Sequence, residues 1–262
     1  MATIASLIEQ VDRPGVDSDP ALDVRTMMPE VTREEALRVQ LGVKRRRVAA
    51  GDQIVGHQAS FTTAAVRETF PDAPYPMVGT LLRSVLRCDG DEVALDADKS
   101  LIECEIGIVL KDDLNGADLT RQQVLRAIDS FVPAIEIAPL RPGILDKAYS
   151  YEHSIAVQKA AGGYVVLGSR HTSPRDIDVA LEGFVVSVDG ERLAGGVGFD
   201  AMHHPLNVVA AIAANLYQIG EKLIAGQVII TGALPAPPRA TRANKSARAE
   251  LTNLGSVTVR FT

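Results

Sequence analysis

The sequence predicts an α+β fold, in which helices pack outside a mixed, curved β-sheet and a helical segment precedes that sheet. Helix signals dominate the first fifty residues, whereas short β-rich runs begin after Asp52. No repeat, low-complexity tract or linker divides the 262 residues. We therefore expect an N-terminal helical segment at 1–51 and one continuous body at 52–262.

The clearest helix of the first segment begins at a capping box formed by Thr32 and Glu35. Leu37, Leu41 and Val48 are expected to form its apolar face, and the helix is expected to end at the basic run 44–47, before Gly51. Such a run suits either a phosphate or nucleic-acid patch or a solvated helix end. The acidic balance of the chain favours the solvated helix end.

The body alternates strands with helices. Asp189 and Gly190 form a two-residue hairpin signal. Thr120 and Gln123 begin a helix expected to reach Phe131, and Pro205 begins another that Gly220 ends. The proline-rich stretch 235–238 is typical of a surface loop. The expected strands lie at 102–110, 163–167, 184–188, 227–231 and 257–261.

Composition excludes several classes of protein. With 46% apolar and 23% charged residues the chain is not disordered, and a net charge of -6 disfavours a nucleic-acid partner. The longest apolar run, 208–214, is far shorter than the roughly 20 residues that cross a bilayer. The start lacks the basic region of a signal peptide, and Cys88 and Cys104 are expected to be reduced thiols. We expect a cytoplasmic protein without a membrane partner.

Two glutamates interrupt the most apolar of the expected strands. Glu103 and Glu105 are two residues apart, so both side chains lie on one face of the strand, while Cys104 points into the core. Burying two ionised carboxylates side by side is unfavourable, because they repel each other and lose hydration. A compensating group is therefore expected at this position.

A third glutamate occupies a comparable environment. Glu136 is the one acid in the apolar run 133–138. Three such carboxylates suggest a hard divalent cation, Mg²⁺ or Mn²⁺, with its other positions open to water and substrate. The alternatives are pairing with arginine or an edge strand with one hydrated face.

From about Val31 to Thr262 the sequence resembles the 2-hydroxypenta-2,4-dienoate hydratases and 4-oxalocrotonate decarboxylases of the fumarylacetoacetate hydrolase superfamily. Glu-x-Glu on a strand followed by a third Glu, here Glu103, Glu105 and Glu136, is the motif of this branch. Further similar segments are 204–207, 226–234 and 254–257. The resemblance implies the strongly curved sheet of the superfamily's C-terminal domain and these three glutamates as Mg²⁺ or Mn²⁺ ligands.

The chain departs from the family at positions where the family has residues implicated in proton transfer. The family segment Gly-x-Lys-Ile-Gly-Leu-Thr-Ser corresponds to 56–63, so Gln58 stands where the family has a lysine. Met77-Val78-Gly79 lacks the acid of the corresponding family segment. Segment 156–160 loses an Asp and gains Lys159. Either Lys159 replaces the missing cation, or His57 or another group transfers the proton on a different substrate, or only metal-assisted chemistry or binding is retained. His57 is expected in a loop near the site. An exposed Lys159 and a solvated His57 are the alternatives.

The resemblance implies a metal-dependent lyase of the hydratase type, acting through an enolate of a small 2-oxo or 2-hydroxydienoic acid. A vinylogous 2-oxo acid decarboxylase, a tautomerase or cyclase, and a non-catalytic partner subunit are the alternatives. Thr231 and Gly232 would hold the substrate carboxylate or form a turn, and His204 would bind substrate or cap a helix. The family also implies a homo-oligomer and association with a related decarboxylase or hydratase.

Overall fold

The computed structural model describes residues 3–12, 24–69, 71, 73, 75–95, 99–140, 150–157, 163–232 and 236–262. Within these ranges the α-helices are α1 (Ile4–Val11), α2 (Val24–Met27), α3 (Arg33–Ala49), α4 (Ala64–Thr69), α5 (Arg121–Arg126), α6 (Tyr151–Val157) and α7 (Pro205–Gln218). None of them has both the length and the hydropathy needed to cross a membrane.

The strands form two sheets in the described part of the chain. The first sheet has the order β2-β1-β10-β5-β6-β7-β3, with β11 paired to the start of β5, and the second has the order β4-β13-β12-β8-β9. Their bounds are β1 (Ile54–Ser60), β2 (Met77–Leu82), β3 (Leu86–Cys88), β4 (Glu92–Val93), β5 (Lys99–Leu110), β6 (Ile128–Pro139), β7 (Tyr164–Leu167), β8 (Gly183–Val188), β9 (Glu191–Val197), β10 (Val228–Ile230), β11 (Arg239–Thr241), β12 (Ser246–Leu251) and β13 (Gly255–Phe261).

The first sheet curls on itself, as the sequence predicts. Leu81 of β2 and Val165 of β7, from strands well separated in the sheet order, belong to one buried cluster with Ala134, Val228 and Ile230. Both side chains also line one cleft, whereas in a flat sheet these two strands would lie about 25 Å apart, because neighbouring strands are separated by about 5 Å. The inner face of the curled sheet therefore encloses a small apolar interior.

The outer face of β5 and β6 packs against the second sheet. Cys104 is fully buried there in the main core, together with residues such as Val186 of β8 and Val257 of β13. Burial raises the pKa of the Cys104 thiol well above its usual value, and the charges of Glu105 and Glu182 add to this effect. Cys104 is thus a neutral core thiol on the face opposite Glu103 and Glu105, as expected from the alternation of a strand.

The N-terminal helices form a separate cluster with α6 and Met77. The capping box at Thr32 and Glu35 is present, as predicted. The apolar face expected for α3 is wrong, however, because Val39 and Val43 are buried while Val48 is 41% exposed. The close approach of α1 determines which face of α3 is buried. A Cβ on Gly42 would lie 2.2 Å from Ile8, so the two helices pack against each other at Gly42.

Other local expectations are met except at one boundary. Asp189 and Gly190 have φ values of 49° and 84° between β8 and β9, which is the conformation of a two-residue hairpin. Helix α7 begins at Pro205, and Gly220 with a φ of 74° follows its end. The helix that begins after Thr120 ends at Arg126 rather than at Phe131, because the residues from Ile128 onward enter β6 between the two sheets.

A fourth buried acid, which the sequence reasoning missed, anchors the turn between β12 and β13. Glu182 is fully buried, and its carboxylate accepts hydrogen bonds from the backbone of Asn253 at 2.6 Å and of Leu254 at 3.0 Å. The side-chain amide of Asn253 donates a third at 2.8 Å. These donors stabilise the charged carboxylate without a metal.

We expect Glu182→Gln to lower the free energy of unfolding by about 2–3 kcal/mol. The NH₂ group of the glutamine would replace one acceptor oxygen and face N–H donors that need an acceptor. Urea unfolding followed by circular dichroism measures the change. Glu250→Gln on the exposed side of β12 is the control, with an expected change within about 0.5 kcal/mol. Equal stability of the two variants would contradict this role of Glu182.

Candidate metal centre

Two neighbouring strands bring the three predicted glutamates together. Glu103 and Glu105 lie on one face of β5, and the antiparallel register places Glu136 of β6 directly opposite Glu103. One carboxylate oxygen from each of the three lies within 4.8 Å of the others. The predicted cluster therefore exists as a geometric unit, with its oxygens close enough to bind one ion.

Burial makes this cluster costly without a cation. Glu105 is 1% exposed and Glu136 is 5% exposed, while Glu103 is partly exposed. Like charges this close oppose one another's ionisation, and burial weakens the hydration that would otherwise offset the repulsion. A set of hard oxygen donors with one accessible side suits a divalent cation that keeps positions for water or substrate.

The end of β10 orients one of the carboxylates. The backbone N–H of Gly232 donates to Oε2 of Glu105 at 2.8 Å, and the φ of Gly232 is 86°. The N–H that we expected to hold a substrate carboxylate is therefore directed at the protein's own carboxylate. The hydroxyl oxygen of Thr231 accepts from the N–H of Ile106 at 3.3 Å, so this side chain joins β10 to β5.

Gln58 and His57 lie on opposite faces of β1. Gln58 lines the interior cleft of the curled sheet together with Glu136, whereas His57 lies beside Glu221 on the outer face. The loop that we expected around His57 is wrong, because β1 runs through this position and His57 is 3% exposed. The structure thus brings Gln58, and not His57, to the side of the sheet that carries the carboxylates.

The outer environment keeps His57 neutral. Burial and, to a smaller extent, the charge of Lys44 lower its pKa to about 4, although Glu221 and the backbone of Gly79 oppose the shift. Its Nδ1 is buried and has no hydrogen-bond partner among the described residues. An imidazole in this position cannot serve as a cationic acid for the carboxylate cluster at neutral pH.

His204 caps α7. Its Nδ1 accepts a hydrogen bond from the backbone N–H of Leu206 at 3.1 Å. Burial lowers the pKa of His204, the charge of Arg121 adds to this, and Asp178 opposes it, so the ring remains an acceptor. The structure thus shows the capping interaction of His204 through Nδ1, and its contact with substrate stays a prediction.

Lys159 lies outside the described residues. Its predicted role as a replacement cation therefore stays a prediction. Met77 of the altered 77–79 segment is buried and packs in the cluster of the N-terminal helices, while Gly79 pairs with Gln58 across β1 and β2.

Sequence reasoning missed three residues near the cluster. The hydroxyl of Thr62 is buried beside Gly232, and that of Thr63 is also buried; neither has a hydrogen-bond partner in the described ranges. Both match the Thr-Ser of the family segment that contains the lysine, which is the signal that could have identified them. Arg47, from the basic run expected to be solvated, lines the cleft with Gln58 and Glu136.

The family match and the sequence relatives of this chain agree with one another. Residues 48–262 match the model of the fumarylacetoacetate (FAA) hydrolase C-terminal family. A 2-keto-4-pentenoate hydratase of Paraburkholderia xenovorans LB400 is 31% identical over 243 residues, which cover 92% of this chain and 88% of the relative. The TodF product hydratase of Pseudomonas putida F1 is 34% identical over 259 residues, covering 98% and 93%.

A solved structure matches the whole length of this chain. The 4-oxalocrotonate decarboxylase of Pseudomonas putida G7, complexed with magnesium and adipate, has a TM-score of 0.86 and 26% sequence identity, covering 100% of this chain and 99% of that one. The same enzyme complexed with calcium and acetate has a TM-score of 0.84. Both complexes contain a divalent cation.

We expect Gly232→Ala to weaken Mg²⁺ binding at least about tenfold, because loss of a hydrogen bond to a charged group costs about 1.5–3 kcal/mol. The added Cβ would lie 2.2 Å from Oγ1 of Thr62 and displace the N–H that orients Glu105. Calorimetric titration with Mg²⁺ measures the affinity. Gly226→Ala is the matched control, since Gly226 has a φ of 85° and open space around it. Equal affinities in the two variants would refute the role of Gly232.

We expect the stability advantage of the wild type over His57→Gln to shrink as the pH falls from 6.5 towards 4. The unfolded chain takes up a proton at His57 in this window, whereas the buried ring resists it, so acid favours unfolding of the wild type by about 2 kcal/mol near pH 5. Urea unfolding of both proteins across this range measures the difference. Above about pH 7.5 it should be constant, and a constant difference down to about pH 5 would contradict a buried neutral His57.

Proposed function

Since this chain belongs to the fumarylacetoacetate (FAA) hydrolase C-terminal family, we propose that it is a Mg²⁺-dependent hydratase of a small 2-oxo or 2-hydroxydienoic acid. The predicted family, its fold and the lyase class of enzyme are confirmed by the likenesses to named hydratases and to a decarboxylase. The substrate itself is inferred from the names of these relatives. Homo-oligomerisation, association with a related enzyme and a cytoplasmic location stay predictions.

The observation that carries the proposal is the cluster of Glu103, Glu105 and Glu136, with oxygens within 4.8 Å of one another. All its donors are carboxylate oxygens, which Mg²⁺ and Mn²⁺ both accept. Magnesium is the cation named with the decarboxylase and adipate, and we therefore propose Mg²⁺ for this chain. When bound, the cation supplies Lewis-acid stabilisation of negative charge on the 2-oxygen of the substrate.

Residues of this chain position the carboxylates and line the adjoining cleft. Gly232 directs one oxygen of Glu105 by hydrogen bonding, and β5 and β6 hold the carboxylates rigidly in the middle of the sheet. Leu81 and Val165 contribute apolar walls to the adjoining cleft. The amide of Gln58 can donate and accept a hydrogen bond in this cleft, but it cannot release a proton as a lysine ammonium does.

Decarboxylation of a vinylogous 2-oxo acid is the second candidate. The decarboxylase structure matches this chain over its full length, whereas the relatives of higher identity are hydratases. Both reactions develop negative charge on the same 2-oxygen, so the carboxylate cluster serves either. The groups that deliver the proton decide between them, and this is the part of the site where the chain departs from its family.

We expect Glu103→Gln to slow hydration at least about a hundredfold, because the variant loses one carboxylate of the cation site. The assay follows the loss of the dienol ultraviolet band of 2-hydroxypenta-2,4-dienoate in the presence of Mg²⁺. Glu92→Gln is the control, since Glu92 is an exposed acid that pairs with Arg260. Equal rates of Glu103→Gln and the wild type would refute the metal-dependent mechanism.

Two assays of the wild-type protein distinguish hydration from decarboxylation. Loss of the dienol band with Mg²⁺ supports the hydratase, while release of CO₂ from 2-oxohex-3-enedioate without that loss supports the decarboxylase. If neither substrate is consumed at high protein concentration, the lyase proposal fails for both substrates. The tautomerase or cyclase and the non-catalytic partner would then be the remaining candidates.

A further inference from the structure

We propose that Arg47 binds a carboxylate of the substrate and supplies the positive charge that the family resemblance expects from a lysine at position 58. The inference rests on the proposed function, because it concerns the substrate of the same site. It assigns a binding role to a residue of helix α3, which the sequence alone indicates as part of a solvated basic run.

Arg47 extends from the last turn of α3 into the interior cleft. It lines that cleft together with Gln58 of β1, Glu136 of β6 and Tyr164 of β7. Its side chain is 23% exposed, compared with 54% for the neighbouring Arg46. Among the described residues that line this cleft, Arg47 is the one with a cationic side chain.

Asp12 fixes the direction of the Arg47 guanidinium. Nε of Arg47 donates to Oδ1 of Asp12 at 2.6 Å, and Nε of Arg46 lies 3.2 Å from Oδ2 of the same carboxylate. Asp52 also lies near enough to interact electrostatically with Arg47. The contact engages Nε of Arg47, and the two terminal nitrogens of a guanidinium carry further donors in the planar fork that matches a carboxylate.

The net charge of the site favours a cationic side chain in the cleft. Three glutamates and one divalent cation together leave one negative charge, and a 2-oxo acid brings at least one more. Gln58 is neutral, so the strand position that carries a lysine in the family contributes no compensation here. A partly desolvated cation on the opposite wall reduces this repulsion more effectively than a solvated one.

Arg87 is a second arginine that the structure describes near the cleft, but its guanidinium is engaged elsewhere. It lies over the ring of Tyr164 at 4.6 Å, and its Nη1 donates to the carbonyl oxygens of Ser84 and Leu86 at 2.9 and 2.8 Å. It does not line the cleft with Gln58 and Glu136. Of these two described arginines, Arg47 is therefore the one placed to contact a substrate.

The test compares Arg47→Gln with Arg46→Gln, two neighbouring arginines that share Asp12. The Mg²⁺-loaded proteins are titrated calorimetrically with 2-oxopentanoate, which lacks the double bond and is not hydrated, and with 2-oxohexanedioate. We expect Arg47→Gln to bind at least one of these acids about tenfold more weakly or worse, and Arg46→Gln to bind both as the wild type does. A loss confined to the diacid would assign Arg47 to the distal carboxylate.

Mg²⁺ affinity separates substrate binding from structural damage. Removing a nearby positive charge should leave the Mg²⁺ affinity of Arg47→Gln unchanged or higher, whereas a distorted site would bind both Mg²⁺ and the acids more weakly. Adding Gln58→Lys to Arg47→Gln should restore acid binding, because the lysine returns a cation to the same cleft. Restoration would support compensation between the two positions.

The outcomes distinguish this inference from the proposed function. Wild-type affinity of Arg47→Gln for both acids would overturn the role of Arg47 and leave the lyase proposal standing. Failure of the Mg²⁺-loaded wild type to bind either acid would overturn both. A parallel loss of Mg²⁺ and acid binding in Arg47→Gln, with no restoration by Gln58→Lys, would make Arg47 a structural residue and refute its contact with substrate.

Discussion

The antiparallel register between β5 and β6 is the constraint on which the candidate site depends. It places Glu136 opposite Glu103 and leaves Glu105 two residues further along the same face. A slip of one residue would turn Glu136 towards the second sheet, among the apolar side chains of the main core. That core disfavours a charged group there, so the same packing that stabilises the fold also fixes the register and holds the carboxylates together.

Mutual repulsion between three carboxylates, two of them buried, favours the binding of a cation at this site. A structural acid in this protein is satisfied differently: Glu182, equally buried, receives three N–H donors from the turn that it anchors. The cluster of Glu103, Glu105 and Glu136 instead converges on one region of space, and there Gly232 orients Glu105. Convergence of buried acids, more than burial alone, separates a cation site from a structural acid.

Curling of the first sheet joins the carboxylates to the remainder of the cleft. Because the sheet curls, Gln58 of β1 lines the same space as Glu136 of β6, and Arg47 at the end of α3 lines this cleft as well. The N-terminal helices therefore contribute to the site as well as to the packing. In this arrangement the loss of a lysine at position 58 is compatible with binding an anionic substrate.

The sequence by itself determined the features that depend on short-range patterns. Strand alternation placed Glu103 and Glu105 together and Cys104 in the core, and capping and hairpin residues located α3, α5, α7 and the β8–β9 turn. Tertiary structure decided the rest: which face of β1 carries His57, that β6 begins before Phe131, and that Arg47 lines the cleft. These outcomes depend on contacts between segments distant in the chain, and local periodicity carries no information about which surface will cover a given face.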